Sequence, residues 1–345
     1  MCARRNRTQF FAITIALYKR FTPQKPPSSS CPSPQTIQYN TGSSMLLCSR
    51  VSMAESEDHR TGGVTNARSA SLTELGEYYK SSEGYRAHLE AKGPAYFEHF
   101  VRVVCGYSNP SDRILDVGCG TGESTRNIMQ RNRKVVGTDL STLFLRAEKT
   151  DGSVQPHYVT SDASHLPFAD NSFDVVCAME FIEHVWPVEA VLTEMYRVAR
   201  PSGRIVIMSP NLLSPLWPIR DLVAMVFQRR FRPPFYNSYR EAAMFFRQAC
   251  RLSLQKMLSH EPQFVPREPN LACADSGGDF DSVYASHARD LMLFFEKAGC
   301  EVDFAAVQST SFRSWVRRSI ARGFGSLWTS FVIEASKVKR PLKSL

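Results

Sequence analysis

Eleven residues, Arg113-Ile-Leu-Asp-Val-Gly-Cys-Gly-Thr-Gly-Glu123, constrain this chain more than any other stretch. Ile114, Leu115 and Val117 around Asp116 read as a short buried strand. Gly118, Cys119, Gly120, Thr121 and Gly122 then make a turn with almost no side-chain bulk. Such a turn accepts positive φ and lets a ligand lie against the backbone. From Glu123 the text Glu-Ser-Thr-Arg-Asn-Ile-Met predicts a helix, whose first free N–H groups point into the same turn. Strand, glycine turn and helix start together predict a cradle for a nucleotide cofactor.

The glycine spacing narrows the cofactor. A dinucleotide fingerprint requires Gly-x-Gly-x-x-Gly, and its third glycine position holds Glu123 here. The pattern is Gly-x-Gly-x-Gly, with an acid two residues upstream. A second apolar run, Val135-Val-Gly-Thr-Asp139, ends in a carboxylate roughly twenty residues after the glycines, where a ribose diol finds its acceptor. A third, His157-Tyr-Val-Thr-Ser161, ends in Asp162-Ala163, and a fourth, Phe173-Asp-Val-Val-Cys-Ala178, ends in Met179-Glu180.

These strand ends, taken in order, resemble the class I methyltransferases that use S-adenosylmethionine, especially their small-molecule branch. Ser161-Asp-Ala-Ser-His-Leu-Pro-Phe168, Asn171-Ser-Phe-Asp174, Glu183-His184 and Arg197-Val-Ala-Arg-Pro-Ser-Gly203 share in the resemblance. It implies a doubly wound, mostly parallel seven-stranded α/β sheet with an antiparallel last strand. It also implies S-adenosylmethionine held by Asp116, Gly118, Cys119, Gly120, Thr121, Gly122, Asp139, Leu140, Asp162, Ala163 and Glu180. In this assignment the glycines pass the methionine and ribose, and Asp116 supports the amino end. Asp139 takes the ribose hydroxyls, and Asp162 with the Ala163 backbone reads adenine. Each acid also has a plainer reading as a helix cap or loop residue.

Glu180, Glu183 and His184 stand at i, i+3 and i+4, so one helical turn would gather two carboxylates and an imidazole. That donor set suits a divalent ion such as magnesium. Similar text occurs in metal-associated O-methyltransferases of ubiquinone biosynthesis, but also in metal-free relatives, where it caps the next helix; the metal-free reading is preferred. His184 is the candidate general base, since an ordinary imidazole titrates near the working pH.

Composition decides what the charge means. Among 345 residues the net charge is +9, but no acid precedes Glu55, while Arg4, Arg5, Arg7, Lys19, Arg20, Lys25 and Arg50 do. The other 35 of the 42 basic residues face all 33 acids, so basicity does not argue for nucleic acid. No Asn/Asp-Pro-Pro-Tyr/Phe element follows the fourth strand; Arg232-Pro-Pro-Phe235 lies after the fifth. Nine cysteines without a Cys-x-x-Cys pair fit free thiols and an intracellular site. Residues 1–70, with Pro- and Ser-rich clusters, read as a disordered extension or an organellar transit peptide; a signal-peptide reading of Phe10–Leu17 is weaker.

Residues 71–340 make the catalytic domain in this reading. Residues 71–104 are helical, with Ser71 and Glu74 as a capping box. The resemblance lays such helices over the cofactor, with Tyr78, Tyr79 and Tyr85 nearby; packing onto the sheet explains the same residues more simply. Val188, Val191, Leu192, Met195 and Val198 mark a core-facing helix running to Pro201, and Arg204–Met208 a fifth strand. Residues 212–284 interrupt the pattern as a substrate-recognition insertion. There Arg229, Arg230 and Arg232 interleave with Phe227, Phe231, Phe235 and Trp217, which suits peripheral contact with lipid headgroups or, equally, an inward-packed lid. Ala288–Gly299 is a helix, Cys300–Phe304 a strand, and Phe331–Ala335 the last strand.

The function expected is transfer of a methyl group to a small or lipid-like acceptor, without nucleic acid. Two alternatives stand beside it: a non-catalytic cofactor-binding interaction protein, and an NAD-dependent oxidoreductase. The missing dinucleotide fingerprint weighs against the latter.

Overall fold

The computed structural model describes residues 72–131, 133–145, 156–214, 216–217, 239–274, 279–306 and 330–337. The expectations for the N-terminal segment, for Ser71 and for Phe227–Phe235 lie outside these residues. Seven strands form one sheet: β1 (Arg113–Val117), β2 (Lys134–Asp139), β3 (His157–Thr160), β4 (Phe173–Met179), β5 (Ala199–Pro210), β6 (Cys300–Ala306) and β7 (Ser330–Lys337). Their order is β3-β2-β1-β4-β5-β7-β6. The pairs from β3 through β5 are parallel, and β7 runs antiparallel between β5 and β6. This is the expected sheet. The order reverses between β1 and β4, which opens a crevice beyond their carboxyl ends.

Strand periodicity sorts the core onto two faces. Leu115, Val176, Ala178, Ile205, Ile207 and Ile333 face one side, against helices α5 (Val188–Val198) and α8 (Ala288–Lys297). Ile114, Val175, Cys177, Val206 and Val332 face the other, against Phe100, Val101 and Val104 of α3 (Pro94–Gly106) and Ile128 of α4 (Glu123–Met129). Every residue of β4 is buried, as a central parallel strand requires.

The leading helical stretch is broken into residues 72–81 (α1), α2 (Glu83–Glu90) and α3. Ser82 caps α2 by accepting from the Tyr85 N–H at 3.0 Å, and Pro94 opens α3. The helix before β5 ends earlier than expected. It stops at Val198, and Ala199 already pairs with Phe173. Pro201 disfavours helical geometry at Arg200 and brings no N–H, so the chain leaves the helix before the proline.

In the insertion, α6 (Tyr239–Leu258) and the short α7 (Leu271–Ala274) are helical. Leu213, Leu252 and Ala285 form a small separate core there. The segment after residue 279 then returns toward the carboxyl end of β4, where Val283 and Tyr284 donate their N–H groups to the Glu183 carbonyl at 2.9 and 3.1 Å.

Candidate functional site

The glycine turn is held open by its backbone. Gly118 and Gly122 have φ of 68° and 80°, the left-handed region that side chains rarely adopt. A Cβ at Gly118 would enter the Phe181 ring, and one at Gly122 would meet the Tyr158 phenol. The N–H groups of Gly118 and Cys119 donate to the Thr138 carbonyl at 2.8 and 3.0 Å, which fixes the turn to the end of β2.

A cavity of about 270 Å³ lies on this turn. Its lining includes Gly118, Cys119, Gly120 and Thr121 from the turn, Asp139 and Leu140 after β2, Asp162 and Ala163 after β3, and Glu180 and His184 after β4. The four strand-end segments picked out in the sequence therefore converge on one space. Gly122 and Asp116 are not in that lining. Asp116 is 1% exposed behind the turn, where its Oδ2 accepts from the Ser124 and Thr125 hydroxyls, each at 2.7 Å. Burial raises its pKa to about 6, against the lowering effect of those hydroxyls and the Cys177 thiol. It shapes the turn from beneath.

Asp139 both faces the cavity and braces it. Its Oδ2 accepts from the Gly120 N–H and its Oδ1 from the Ser141 N–H, both at 2.9 Å. Asp162 is exposed, and its Oδ1 accepts from the Ser164 N–H and hydroxyl, each at 2.8 Å. Leading-helix residues Leu75, Tyr79, Tyr85, Leu89 and Tyr96 close the opposite wall. Tyr79 packs edge-on and Tyr85 at a tilt against Phe144, so each both packs and lines the site. Tyr78 touches both rings but lies outside the lining.

The expected helical gathering of Glu180, Glu183 and His184 does not form. Glu180 has φ of 47° and precedes a single 3₁₀ turn over Ile182–His184. Its carboxylate points to the Tyr96 hydroxyl and to Lys92, whose Nζ lies 3.4 Å away. Glu183 is fully buried and accepts from the Ser209 hydroxyl at 3.0 Å. Nor does this text cap the next helix, since α5 has no side-chain cap. Among the described residues, donor atoms that fall together, within 4.8 Å, belong to Glu183, His184 and Asp279. Asp279 replaces Glu180 in any metal-binding reading, because the left-handed turn aims Glu180 away.

His184 lies in an acidic nest. Its Nδ1 is 3.2 Å from Asp281 Oδ2 and 3.2 Å from the Tyr79 hydroxyl, which itself donates to Asp281 Oδ2 at 2.6 Å. Its Nε2 is 3.7 Å from Glu183 Oε1. Burial alone would lower its pKa, but Asp281, Glu183 and Asp279 raise it to about 10. The imidazole is therefore a cation at neutral pH. The premise of an ordinary pKa, on which its role as a general base rested, is corrected. Glu183 is also shifted upward: burial pushes it to about 8, against the lowering effect of His184. Asp279 and Asp281 come from the polar, Gly-containing end of the insertion, where no spacing signal tied them to His184. Only the return of that segment over β4 does.

Residues 115–207 match a family described as a methyltransferase domain. That stretch of the chain carries the domain. The chain is 36% identical over 127 residues to the demethylmenaquinone methyltransferase of Beutenbergia cavernae, covering 36% of this chain and 52% of that protein. It is 32% identical over 151 residues to a sterol 24-C-methyltransferase of Schizosaccharomyces pombe, covering 41% of this chain and 40% of that protein. It is 29% identical over 180 residues to the ubiquinone/menaquinone biosynthesis C-methyltransferase of Vibrio parahaemolyticus, covering 48% and 70%. The chain thus spans 52% and 40% of the first two relatives' lengths. The matched family domain runs from Leu115 in β1 through the glycine turn into β5; β6, β7 and the insertion after β5 lie outside it.

Proposed function

We propose that this chain is a methyltransferase that uses S-adenosylmethionine to methylate a small, lipid-like acceptor, of the quinone or sterol class that the relatives' names describe. The carrying observation is the convergence of the glycine turn, Asp139, Asp162 and Ala163 on one cavity. The cofactor fits this donor set: a side-chain-free turn for its extended part, a half-buried carboxylate for a diol, and a carboxylate with adjacent backbone for an adenine edge. When bound, S-adenosylmethionine supplies a methyl group already activated for in-line displacement. The chain's own work is then mainly to align and enclose. Tyr79, Tyr85, Phe144, Phe181 and Trp186 line the cavity and provide an apolar wall for a ring-bearing acceptor.

His184 acts in this proposal as a fixed positive charge. An imidazolium at the cavity wall lowers the pKa of an acceptor hydroxyl and favours the nucleophilic anion. His184→Gln should lower turnover on the acceptor by about 10²-fold or more while leaving cofactor affinity nearly unchanged. Undiminished turnover would remove this role. We read Glu183, His184 and Asp279 as a charge cluster rather than a metal site, because both His184 ring nitrogens already face carboxylates, Asp281 at 3.2 Å and Glu183 at 3.7 Å.

Calorimetric titration tests the cofactor assignment. Asp139→Asn should weaken S-adenosylmethionine binding by about 10- to 100-fold, the value of a hydrogen bond to a charged group. Magnesium or a chelator should leave the wild-type affinity unchanged. Failure of the wild type to bind, or an unaltered affinity in Asp139→Asn, would overturn the assignment.

A further inference from the structure

The insertion helix α6 presents two opposite faces. Ala249, Leu252, Ser253 and Lys256 are buried, at the i, i+3, i+4, i+7 spacing of a docked face. The Ser253 hydroxyl donates to the Leu213 carbonyl at 3.0 Å, and Lys256 is paired with Asp290 of α8. This docking fixes what the helix turns outward: Met244, Arg247, Arg251, Leu254 and Leu258, at i, i+3, i+7, i+10 and i+14. Met244 is 71% exposed, Leu254 58% and Leu258 72%, and both arginines are exposed. Among the described residues, five of the eight exposed large hydrophobic side chains belong to this one helix. Such a concentration marks an interaction surface.

Charge indicates the partner. Between residues 222 and 260 the sequence holds seven basic residues and one acid, Glu241. The rest of the chain beyond residue 54 holds 28 basic residues against 32 acids. A basic segment whose helix exposes methionine and leucine beside arginine thus stands against a net acidic remainder beyond residue 54. We propose that this outward face of α6 docks on an anionic phospholipid bilayer, with Met244, Leu254 and Leu258 entering the headgroup boundary and Arg247 and Arg251 meeting lipid phosphates. No helix among the described residues is long and apolar enough to cross a membrane, so the contact is a peripheral one. A second copy of the chain suits the face less well, since a two-fold contact would set its arginines against one another. Nucleic acid suits it less, since methionine and leucine offer no stacking plane for bases. The proposal goes beyond methyl transfer and stands or falls separately from it.

Flotation of the full chain with neutral phosphatidylcholine vesicles, and with vesicles also containing phosphatidylserine, is the test. Wild type should float with the anionic vesicles, less so with neutral ones, and less as salt rises. Arg247→Glu/Arg251→Glu and Leu254→Ser/Leu258→Ser should each reduce partitioning by about tenfold. Neither pair lines the cavity, so S-adenosylmethionine affinity and thermal unfolding should stay as in wild type. The basic N-terminal segment is the same in every variant, so its own attraction to vesicles cancels. Equal flotation of the variants and wild type, equal flotation on neutral vesicles, or none at all would overturn the proposal. A change of molar mass in light scattering for Leu254→Ser/Leu258→Ser would overturn it too, by assigning the face to a second copy.

Discussion

Asp290→Ala is expected to cost about 3–5 kcal/mol of folding stability, because it strands a buried ammonium group. Lys256 is 1% exposed and reaches Asp290 from the underside of α6, with the Gln263 carbonyl as its other partner. Asp290 also accepts from the Tyr284 hydroxyl at 2.8 Å and the Gln263 N–H at 3.0 Å. Removing the carboxylate takes the acceptor from the Tyr284 hydroxyl and the Gln263 N–H, and leaves the ammonium buried with the Gln263 carbonyl alone. Burial works against both charges: it raises the pKa of Asp290 and lowers that of Lys256, while each partner pulls the other back. The pair's value therefore lies in fixing how the insertion helix sits rather than in net stability. Accordingly Asp290→Ala with Lys256→Met should recover at least half of the loss. Urea unfolding of the two variants measures this. A single-variant cost below about 1 kcal/mol would mean that the pair is solvated and does not orient α6.

The second large effect concerns the nest around His184. Asp281→Asn should lower the His184 pKa from about 10 to its ordinary 6.5 or below, because burial alone drives an imidazole downward. The sign of the stability change follows from linkage. The folded-state value of His184 lies above its unfolded value, so the pair's contribution is full below pH 6.5 and is lost as pH rises through about 10. Asp281 is held well below its ordinary 3.8: burial opposes this, but His184 and the Tyr79 hydroxyl outweigh it, so its share is lost only in acid. The difference in stability between wild type and Asp281→Asn should therefore be largest between roughly pH 4 and 6.5, on the order of 3 kcal/mol, and shrink toward pH 10. Histidine ring resonances followed by NMR report the pKa directly, and unfolding midpoints across pH report the linkage. A His184 that titrates near 6.5 in the wild type would remove the imidazolium from the site.

The sequence by itself determined the sheet and the strand ends that meet at its cavity. β1, the glycine turn and the carboxylates closing β2 and β3 were legible because each depends on a few neighbouring residues. Burial makes a strand apolar, left-handed backbone demands glycine, and a strand end leaves room for an acid. The same locality explains the apolar stripe of α5, every marked residue of which is buried. Tertiary structure decided what those residues do to one another. Asp116 and Asp139 are both acids beside the same turn, yet one is sealed beneath it and the other faces the cavity. Glu180 and His184 look like neighbours on a helix, but Glu180 is itself left-handed and its carboxylate goes to Lys92 and Tyr96. The charge state of His184 was out of reach of local pattern altogether. It depends on Asp281, 97 positions away in sequence, brought within 3.2 Å by the folding of the insertion. Electrostatic energies follow distance in space and the loss of water, and sequence spacing records neither.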